Sequence, residues 1–94
     1  MFSTYILHSP SLDRYYVGQT ADLRQRMAFH VAGSTAATSG AKDWVLVFVQ
    51  SFPTRAAAMR LETTIKGKKS HTSIQRFVAD PRNEAKRAVA IADW

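Results

Sequence analysis

Two polar residues interrupt the apolar stripe of a predicted helix early in the chain. Four residues have the i, i+3, i+4, i+7 spacing that places side chains on one side of a helix, namely Leu23, Arg26, Met27 and His30. Leucine and methionine suit a core, but a charged group that faces a core is costly unless it is paired or open to water. The stripe therefore borders a cleft or ends in a buried ion pair. Alternatively, Arg26 rests its aliphatic stem on the core with its head in water, and His30 is a hydrogen-bonded core or surface histidine.

A carboxylate shows a similar irregularity on a second predicted helix. Glu62 lies beside an apolar stripe formed by Ala58, Leu61 and Ile65. It can form a surface ion pair with Lys66 at i+4, which contributes only about 0.3–0.5 kcal/mol. The functional alternative is a carboxylate at the rim of the same cleft.

Two β-rich runs carry tyrosines. In TYILH, Tyr5 shares a face with Leu7, and in RYYVGQT, Tyr16 shares a face with Gly18. Aromatic residues on strands usually belong to the core. A glycine inside a strand, however, indicates close approach of another group.

These residue types together suit the hydrolysis of a phosphodiester. A carboxylate can hold a hard divalent cation, which completes its shell with water and phosphate oxygens. An arginine neutralises a non-bridging oxygen, and a histidine can take a proton from water near neutral pH. A tyrosine can do so only if nearby cations lower its pKa from about 10. Each signal is weak when it is taken alone.

Composition narrows the class of partner. The 94 residues have room for one core, and the net charge of +6 favours a polyanion, nucleic acid before an anionic membrane surface, with plain solubility as the alternative. The absence of cysteine excludes disulfides, thiolate nucleophiles and zinc clusters built on sulfur. The amino terminus lacks a signal-peptide pattern, and no apolar run approaches the roughly 18 residues that span a bilayer. We therefore expect a cytoplasmic protein without a membrane segment.

The elements that must position these residues have the order β-β-α-β-α-α. Thr4–His8 and Arg14–Thr20 predict an antiparallel hairpin, and a helix is expected from about Asp22 to Val31, capped by Thr20 or Asp22. The small polar segment Ala32–Asp43 predicts a mobile loop. The apolar run Trp44–Phe52 predicts a strand that is covered on both faces.

The rest of the chain predicts helices. One opens at Pro53 and Thr54 and ends at about Lys66, and two shorter helices are expected at Ser73–Ala79 and, capped by Asn83, at Glu84–Ala92. We therefore expect a single α+β domain over residues 1–94, with a small three-stranded antiparallel sheet flanked by helices.

At these residues the sequence resembles the GIY-YIG nuclease superfamily, and it is most similar to the small standalone bacterial members. Thr4-Tyr5-Ile6 corresponds to the first family tripeptide, with only the tyrosine kept, and Tyr16-Val17-Gly18 corresponds to the second, with valine for isoleucine. These small members also have segments similar to four others in this chain, namely QTADLRQR, WVLVFVQSF, RLETTIKGKK and RFVADPRNEAKRA. The family fold is a three-stranded antiparallel sheet flanked by helices, in agreement with the predicted order.

The resemblance implies an endonuclease that hydrolyses DNA with one Mg²⁺ or Mn²⁺. Tyr5 would lie near the attacking water as base or positioner, and Tyr16 would contact the phosphate or its neighbours. Gly18 would permit close packing, Arg26 would hold the scissile phosphate, and Glu62 would bind the cation. The resemblance further implies that the enzyme would act on particular DNA structures during DNA repair or recombination.

Other positions qualify this assignment. His30 matches a histidine that some branches place in the site, where it could share or take the role of base. Gln19 stands where many members carry lysine, which puts more weight on His30. No asparagine aligns directly after the glutamate helix, where some members have one.

The nucleic-acid backbone would be bound by Gln19 and by three lysines, Lys66, Lys68 and Lys69.

Two other functions remain open from the sequence. One is a nucleic-acid-binding module that keeps the site with weak or no turnover, and the other is a small structural protein whose charge serves only solubility. RNA is not distinguished from DNA. Any sequence specificity would come from the segment 32–43 or from a partner protein.

Overall fold

A four-stranded antiparallel sheet with helices on both faces forms the fold, as seen in a computed structural model that describes residues 1–33, 38–68, 70–85, 87 and 89–91. The strands lie in the order β2-β1-β3-β4, and their bounds are Phe2–Ser9 (β1), Arg14–Thr20 (β2), Val45–Phe52 (β3) and Val89–Ala90 (β4). The helices are Leu23–Val31 (α1), Arg55–Lys66 (α2) and His71–Val78 (α3). The α+β class is confirmed, and the short β4 is an addition to the three predicted strands.

The register of the central hairpin determines which side chains share a face. Tyr5 pairs with Gly18 and Leu7 with Tyr16. Because successive side chains on a strand point to opposite faces, these four residues lie on one face of the sheet. They join a core that includes Met27 from α1.

The opposite face of the sheet packs against α2 and α3. Ile6 and Val17 are cross-strand partners there, and they are buried with Phe48 of β3, Ile65 of α2 and Ile74 of α3. The sheet thus separates two apolar clusters, one under α1 and one under α2 and α3.

Side-chain caps explain where the helices begin. The Asp22 carboxylate accepts a hydrogen bond from the Gln25 backbone N–H, and the Thr54 hydroxyl accepts one from the Ala57 N–H. Both caps satisfy a backbone donor that has no partner inside its helix. Asp22 was one of the two residues predicted to cap α1, and Thr54 was predicted, with Pro53, to open α2. None of the described helices is long and apolar enough to cross a membrane.

The prediction of a last helix over Glu84–Ala92 is wrong. Asn83, expected as its cap, is buried beside β3, where its side-chain oxygen accepts a hydrogen bond from the backbone N–H of Val49. Its amide group donates to the carbonyl oxygens of Val47 and Val78, at 2.9 Å each. The side chain therefore ties the end of α3 to the middle of β3.

Some of the described residues after Asn83 also pair with β3. The Glu84 backbone N–H donates to the Val49 carbonyl, and the Glu84 carboxylate accepts from the backbone N–H and the hydroxyl of Ser51. Further on, Val45 and Leu46 pair with β4. The edge of β3 offers unpaired backbone groups, and their pairing stabilises an extended segment over a helix.

Candidate active site

Tyr5 and Gly18 form the centre of the candidate site. They are cross-strand partners, and the Tyr5 side chain is 1% exposed. A Cβ atom added to Gly18 would lie 2.6 Å from the Tyr5 hydroxyl oxygen and 2.7 Å from its Cζ. The phenol ring therefore occupies the space that a side chain at position 18 would need. This contact is the close approach that a glycine within the strand predicts.

Tyr5, Tyr16 and His30 contact one another, and we call them the buried cluster. The Tyr5 hydroxyl and His30 Nε2 are joined by a hydrogen bond of 2.9 Å. The centroid of the Tyr16 ring lies 6.2 Å from that of Tyr5 and 5.0 Å from that of His30. Two strands of the hairpin and the last turn of α1 thus bring together three of the five predicted catalytic residues.

Thr38 holds the other side of the imidazole. Its hydroxyl lies 2.9 Å from His30 Nδ1, and its carbonyl accepts a hydrogen bond from the Trp44 indole N–H at 2.9 Å. His30 is 3% exposed. It is therefore a hydrogen-bonded core histidine, which was one of the alternatives left open by the sequence. It also faces the tyrosines. Sequence reasoning missed Thr38, because nothing distinguishes it from the other small polar residues of segment 32–43.

Burial keeps both partners of the Tyr5–His30 bond neutral. Loss of hydration raises the pKa of Tyr5 well above its usual value, and the neighbouring Tyr16 and the Glu62 carboxylate raise it further, while the Arg26 guanidinium opposes them. Burial also lowers the pKa of His30, and the positive charge of Arg26 lowers it further. Near neutral pH a neutral phenol therefore faces a neutral imidazole.

Arg26 lies close enough to act electrostatically on both of these groups. It is half-buried on α1, one turn before His30. Within the described part of the chain, its guanidinium forms no ion pair with a carboxylate. A cation without a carboxylate partner, beside neutral acid–base groups, is suited to receive an anion such as phosphate.

Glu62 lies on α2, which packs against the other face of the sheet. Its side chain is 19% exposed, and one carboxylate oxygen lies 3.1 Å from Lys66 Nζ, so the i+4 ion pair expected as an alternative does form. The negative charge of Glu62 nevertheless contributes to the raised pKa of Tyr5, as the smallest of its causes.

A divalent cation fits this arrangement in one way. No three histidine, aspartate or glutamate side chains converge on a metal site among the residues that the structure describes. Mg²⁺, however, often keeps several waters and is bound through one or two carboxylates plus substrate phosphates. Glu62 can serve as such a single ligand if Lys66 releases it.

The predicted nucleic-acid contacts are spread over several places. Gln19 lies on the opposite face from Tyr16, and its side-chain oxygen accepts a hydrogen bond from Arg55, whose guanidinium stacks over the Phe2 ring at 4.8 Å. Arg55 thus places a cation beside Gln19.

The lysines after Glu62 lie at the end of α2. Lys66 is exposed but engaged with Glu62, and Lys68 lines a pocket of about 230 Å³ together with Arg76 of α3. Lys69 lies outside the described residues. The binding role of these lysines and of Gln19 stays a prediction.

Comparison with known proteins places the chain in a family. The model of the GIY-YIG catalytic domain matches residues 1–75, a range that contains all five predicted catalytic residues. Two UPF0213 proteins from Streptococcus pneumoniae, of the serotype 4 strain TIGR4 and of strain R6, are each 39% identical over 56 residues, which is 58% of this chain. That segment spans 57% of the length of each of these curated relatives.

A solved structure extends the similarity to the fold. The solution NMR structure of a UPF0213 protein from Bacillus halodurans superposes with a TM-score of 0.55 at 28% sequence identity, and the match covers 87% of both chains. The family model covers most of this chain, including both tyrosine motifs, the arginine helix and the glutamate helix. The chain therefore belongs to the GIY-YIG catalytic domain family.

Proposed function

We propose that this protein is a metal-dependent endonuclease that hydrolyses phosphodiester bonds of DNA. The observation that carries the proposal is the 2.9 Å bond between Tyr5 and His30, beside the charge of Arg26. This arrangement combines a proton acceptor with a cation for the phosphate, and it occurs in a chain of the GIY-YIG family.

Arg26 and Tyr16 are the groups that contact the scissile phosphate. Both are half-buried, whereas Tyr5 and His30 are almost fully enclosed. The planar guanidinium binds two phosphate oxygens at once and offsets the charge that builds up on them in the transition state. The phenol of Tyr16 donates a hydrogen bond to the same phosphate.

Tyr5 transfers the proton of the attacking water to His30. Because its raised pKa keeps Tyr5 neutral, it can accept a proton only as it gives up its own. The water proton moves to the Tyr5 oxygen while the Tyr5 proton moves to Nε2 of His30, so the phenol stays neutral and the imidazole becomes positive. The water oxygen bonds to phosphorus, and the bond from phosphorus to the leaving oxygen breaks.

Phosphate binding prepares His30 for this role. The positive charge of Arg26 is one of the two causes that lower the pKa of His30. A bound phosphate offsets that charge, so His30 becomes more basic when substrate is present. His30 is thus a weak base in the free protein and a stronger base in the complex with DNA.

Glu62 would hold the single Mg²⁺ or Mn²⁺ ion after Lys66 releases its carboxylate. When bound, this ion supplies charge stabilisation at the phosphoryl and leaving oxygens. Ion pairs at i,i+4 on a helix contribute only about 0.3–0.5 kcal/mol, so the release costs little.

The test is cleavage of a DNA panel by the wild type, Glu62→Gln and the control Glu84→Gln. The panel contains flaps, forks, junctions, nicked duplexes and single strands, with Mg²⁺ or Mn²⁺, and RNA strands for comparison. Both variants lose one negative charge, so a general change in DNA affinity affects them equally. We expect Glu62→Gln to lose at least about 100-fold in rate, and Glu84→Gln to cleave like the wild type.

Equal rates for the wild type and Glu62→Gln would contradict the mechanism. The same panel tests the finer proposal that the enzyme selects particular DNA structures in repair or recombination. That proposal requires the wild type to cleave one structure much faster than duplex or single-stranded DNA.

A binding module without turnover is the second candidate function. The ion pair between Glu62 and Lys66 favours it, because this pair occupies the carboxylate that the cation needs. It predicts DNA binding that weakens steeply with added salt, with no cleavage under any divalent ion.

A further inference from the structure

We propose that Thr38 is a positioning residue that accepts a hydrogen bond from Nδ1–H of His30 and so directs the lone pair of Nε2 at the Tyr5 hydroxyl. This inference rests on the proposed function, in which His30 receives the proton of Tyr5. It adds a residue from segment 32–43, outside both tyrosine motifs.

The geometry holds the imidazole at both nitrogens. The distance from Nδ1 to the Thr38 hydroxyl oxygen and the distance from Nε2 to the Tyr5 hydroxyl oxygen are both 2.9 Å. Thr38 and Tyr5 are each 1% exposed and His30 is 3% exposed, which leaves little access for water to replace either partner. The ring therefore cannot turn without breaking two buried hydrogen bonds.

The relative acidity of the two hydroxyl groups selects the tautomer. A neutral imidazole has one nitrogen that donates and one that accepts. A phenol, with an ordinary pKa of about 10, is a much stronger acid and hence a better donor than the aliphatic hydroxyl of threonine. The favoured pairing is a phenol that donates to Nε2 and an Nδ1–H that donates to Thr38. Arg26 strengthens this preference, because its charge stabilises negative charge on the Tyr5 oxygen.

Trp44 keeps the threonine in place. Its indole N–H donates to the Thr38 carbonyl at 2.9 Å, and its side chain, 3% exposed, is part of the core under α1. Trp44 directly precedes β3, so the hydroxyl that orients His30 is anchored to the sheet itself. Catalytic histidines commonly depend on a group that holds the nitrogen opposite the reacting one.

The first test reads the tautomer without any activity measurement. The nitrogen-15 chemical shifts of the His30 ring are measured at neutral pH in the wild type, Thr38→Val and Thr38→Ser. We expect the proton on Nδ1 in the wild type and in Thr38→Ser. We expect a shift toward the Nε2–H form in Thr38→Val, which removes the acceptor but keeps a similar shape.

The second test is kinetic, on whichever DNA the wild type cleaves. In metal sites, removal of a group whose hydrogen bond orients a histidine typically reduces activity by about 10- to 100-fold. We expect Thr38→Val to lower kcat by that factor with KM nearly unchanged. We expect Thr38→Ser to retain most of the wild-type kcat. A purely structural role would instead change stability in both variants and leave the ring nitrogens as they are.

The outcomes separate this inference from the proposed function. A wild-type proton on Nε2, or an unchanged tautomer in folded Thr38→Val, overturns the role of Thr38. If Thr38→Val does not fold, the wild type and Thr38→Ser decide, because the inference requires Nδ1–H in both. If no DNA is cleaved but the tautomer responds to Thr38 as expected, the positioning stands and the proposed endonuclease fails.

Discussion

Neighbouring tyrosines on β2 belong to two histidine–tyrosine clusters on opposite faces of the sheet. Tyr16 belongs to the buried cluster with Tyr5 and His30, in which both imidazole nitrogens are bonded to hydroxyl groups. Tyr15 lies between His8, whose tilted ring has its centroid at 4.6 Å, and His71, whose ring is edge-on with its centroid at 5.1 Å. We call this second group the exposed cluster.

The exposed cluster has a carboxylate that the buried cluster lacks. Asp13 lies 3.4 Å from His8 and 3.7 Å from His71, and its side chain is 75% exposed. Ion pairs in such a position contribute about 0–1 kcal/mol, because water competes for both charges. The carboxylate therefore holds neither ring firmly.

The two clusters differ in burial more than in residue type. In the buried cluster, loss of hydration moves the pKa of Tyr5 up and the pKa of His30 down, and both changes favour the uncharged forms. A neutral donor–acceptor pair held at 2.9 Å is what a proton relay needs. The exposed cluster also combines tyrosine and histidine, but without that enclosure.

The largest expected difference is in the rate of cleavage. His30→Gln removes the proton acceptor, so kcat should fall by about 10²–10⁴-fold, whereas His8→Gln on the exposed cluster should leave it unchanged. The measurement is single-turnover cleavage of the best DNA of the panel, with circular dichroism to confirm that both variants fold. An equal loss in both variants would remove the distinction between the clusters.

The second prediction concerns the space that Tyr5 occupies. Gly18→Ala places a methyl group where the phenol lies, and overpacking of this kind costs about 1–3 kcal/mol in the free energy of unfolding. The control is Gly40→Ala, since nothing lies within 4 Å of a Cβ added there. Urea denaturation of both variants provides the comparison. A Gly18→Ala variant as stable as the control would show that Tyr5 is free to move.

The smallest effect is the dependence of stability on pH. The folded-state pKa of His30 is below its unfolded value of about 6.5, so the unfolded chain binds more protons as the pH falls through this range. This contribution to stability is complete above pH 6.5 and is lost as the pH falls toward the lowered pKa. Urea denaturation at several pH values should therefore show that the free energy of unfolding falls more steeply with falling pH in the wild type than in His30→Gln.

Arg26→Gln sharpens the same prediction. It removes one of the two causes of the lowered pKa, so His30 should titrate at a higher pH than in the wild type. An NMR titration of the His30 ring measures this shift directly. An unchanged pKa would mean that the charge of Arg26 does not reach the buried cluster.

Local patterns in the sequence were sufficient for the hairpin, for the presence of α1, α2 and α3, and for the points where α1 and α2 begin. These features depend on residues close together in the chain, such as the Asp22 and Thr54 caps. The helical spacing also put Arg26 and His30 on one side of α1, and resemblance to a family identified Tyr5 and Tyr16. Glu62 was predicted both as a candidate ligand and as the partner of Lys66, and the ion pair is present.

Only the tertiary structure decided how these pieces meet. Strand pairing sets Tyr5 over Gly18, and it draws Asn83 onto the edge of β3, where the last predicted helix gives way to an extended segment. Thr38 was not predictable, because its contacts to His30 and Trp44 depend on tertiary packing and not on local sequence. The sequence by itself determined the residue types and the local elements. The exclusion of water, which separates the buried cluster from the exposed one, is a property of the packed structure alone.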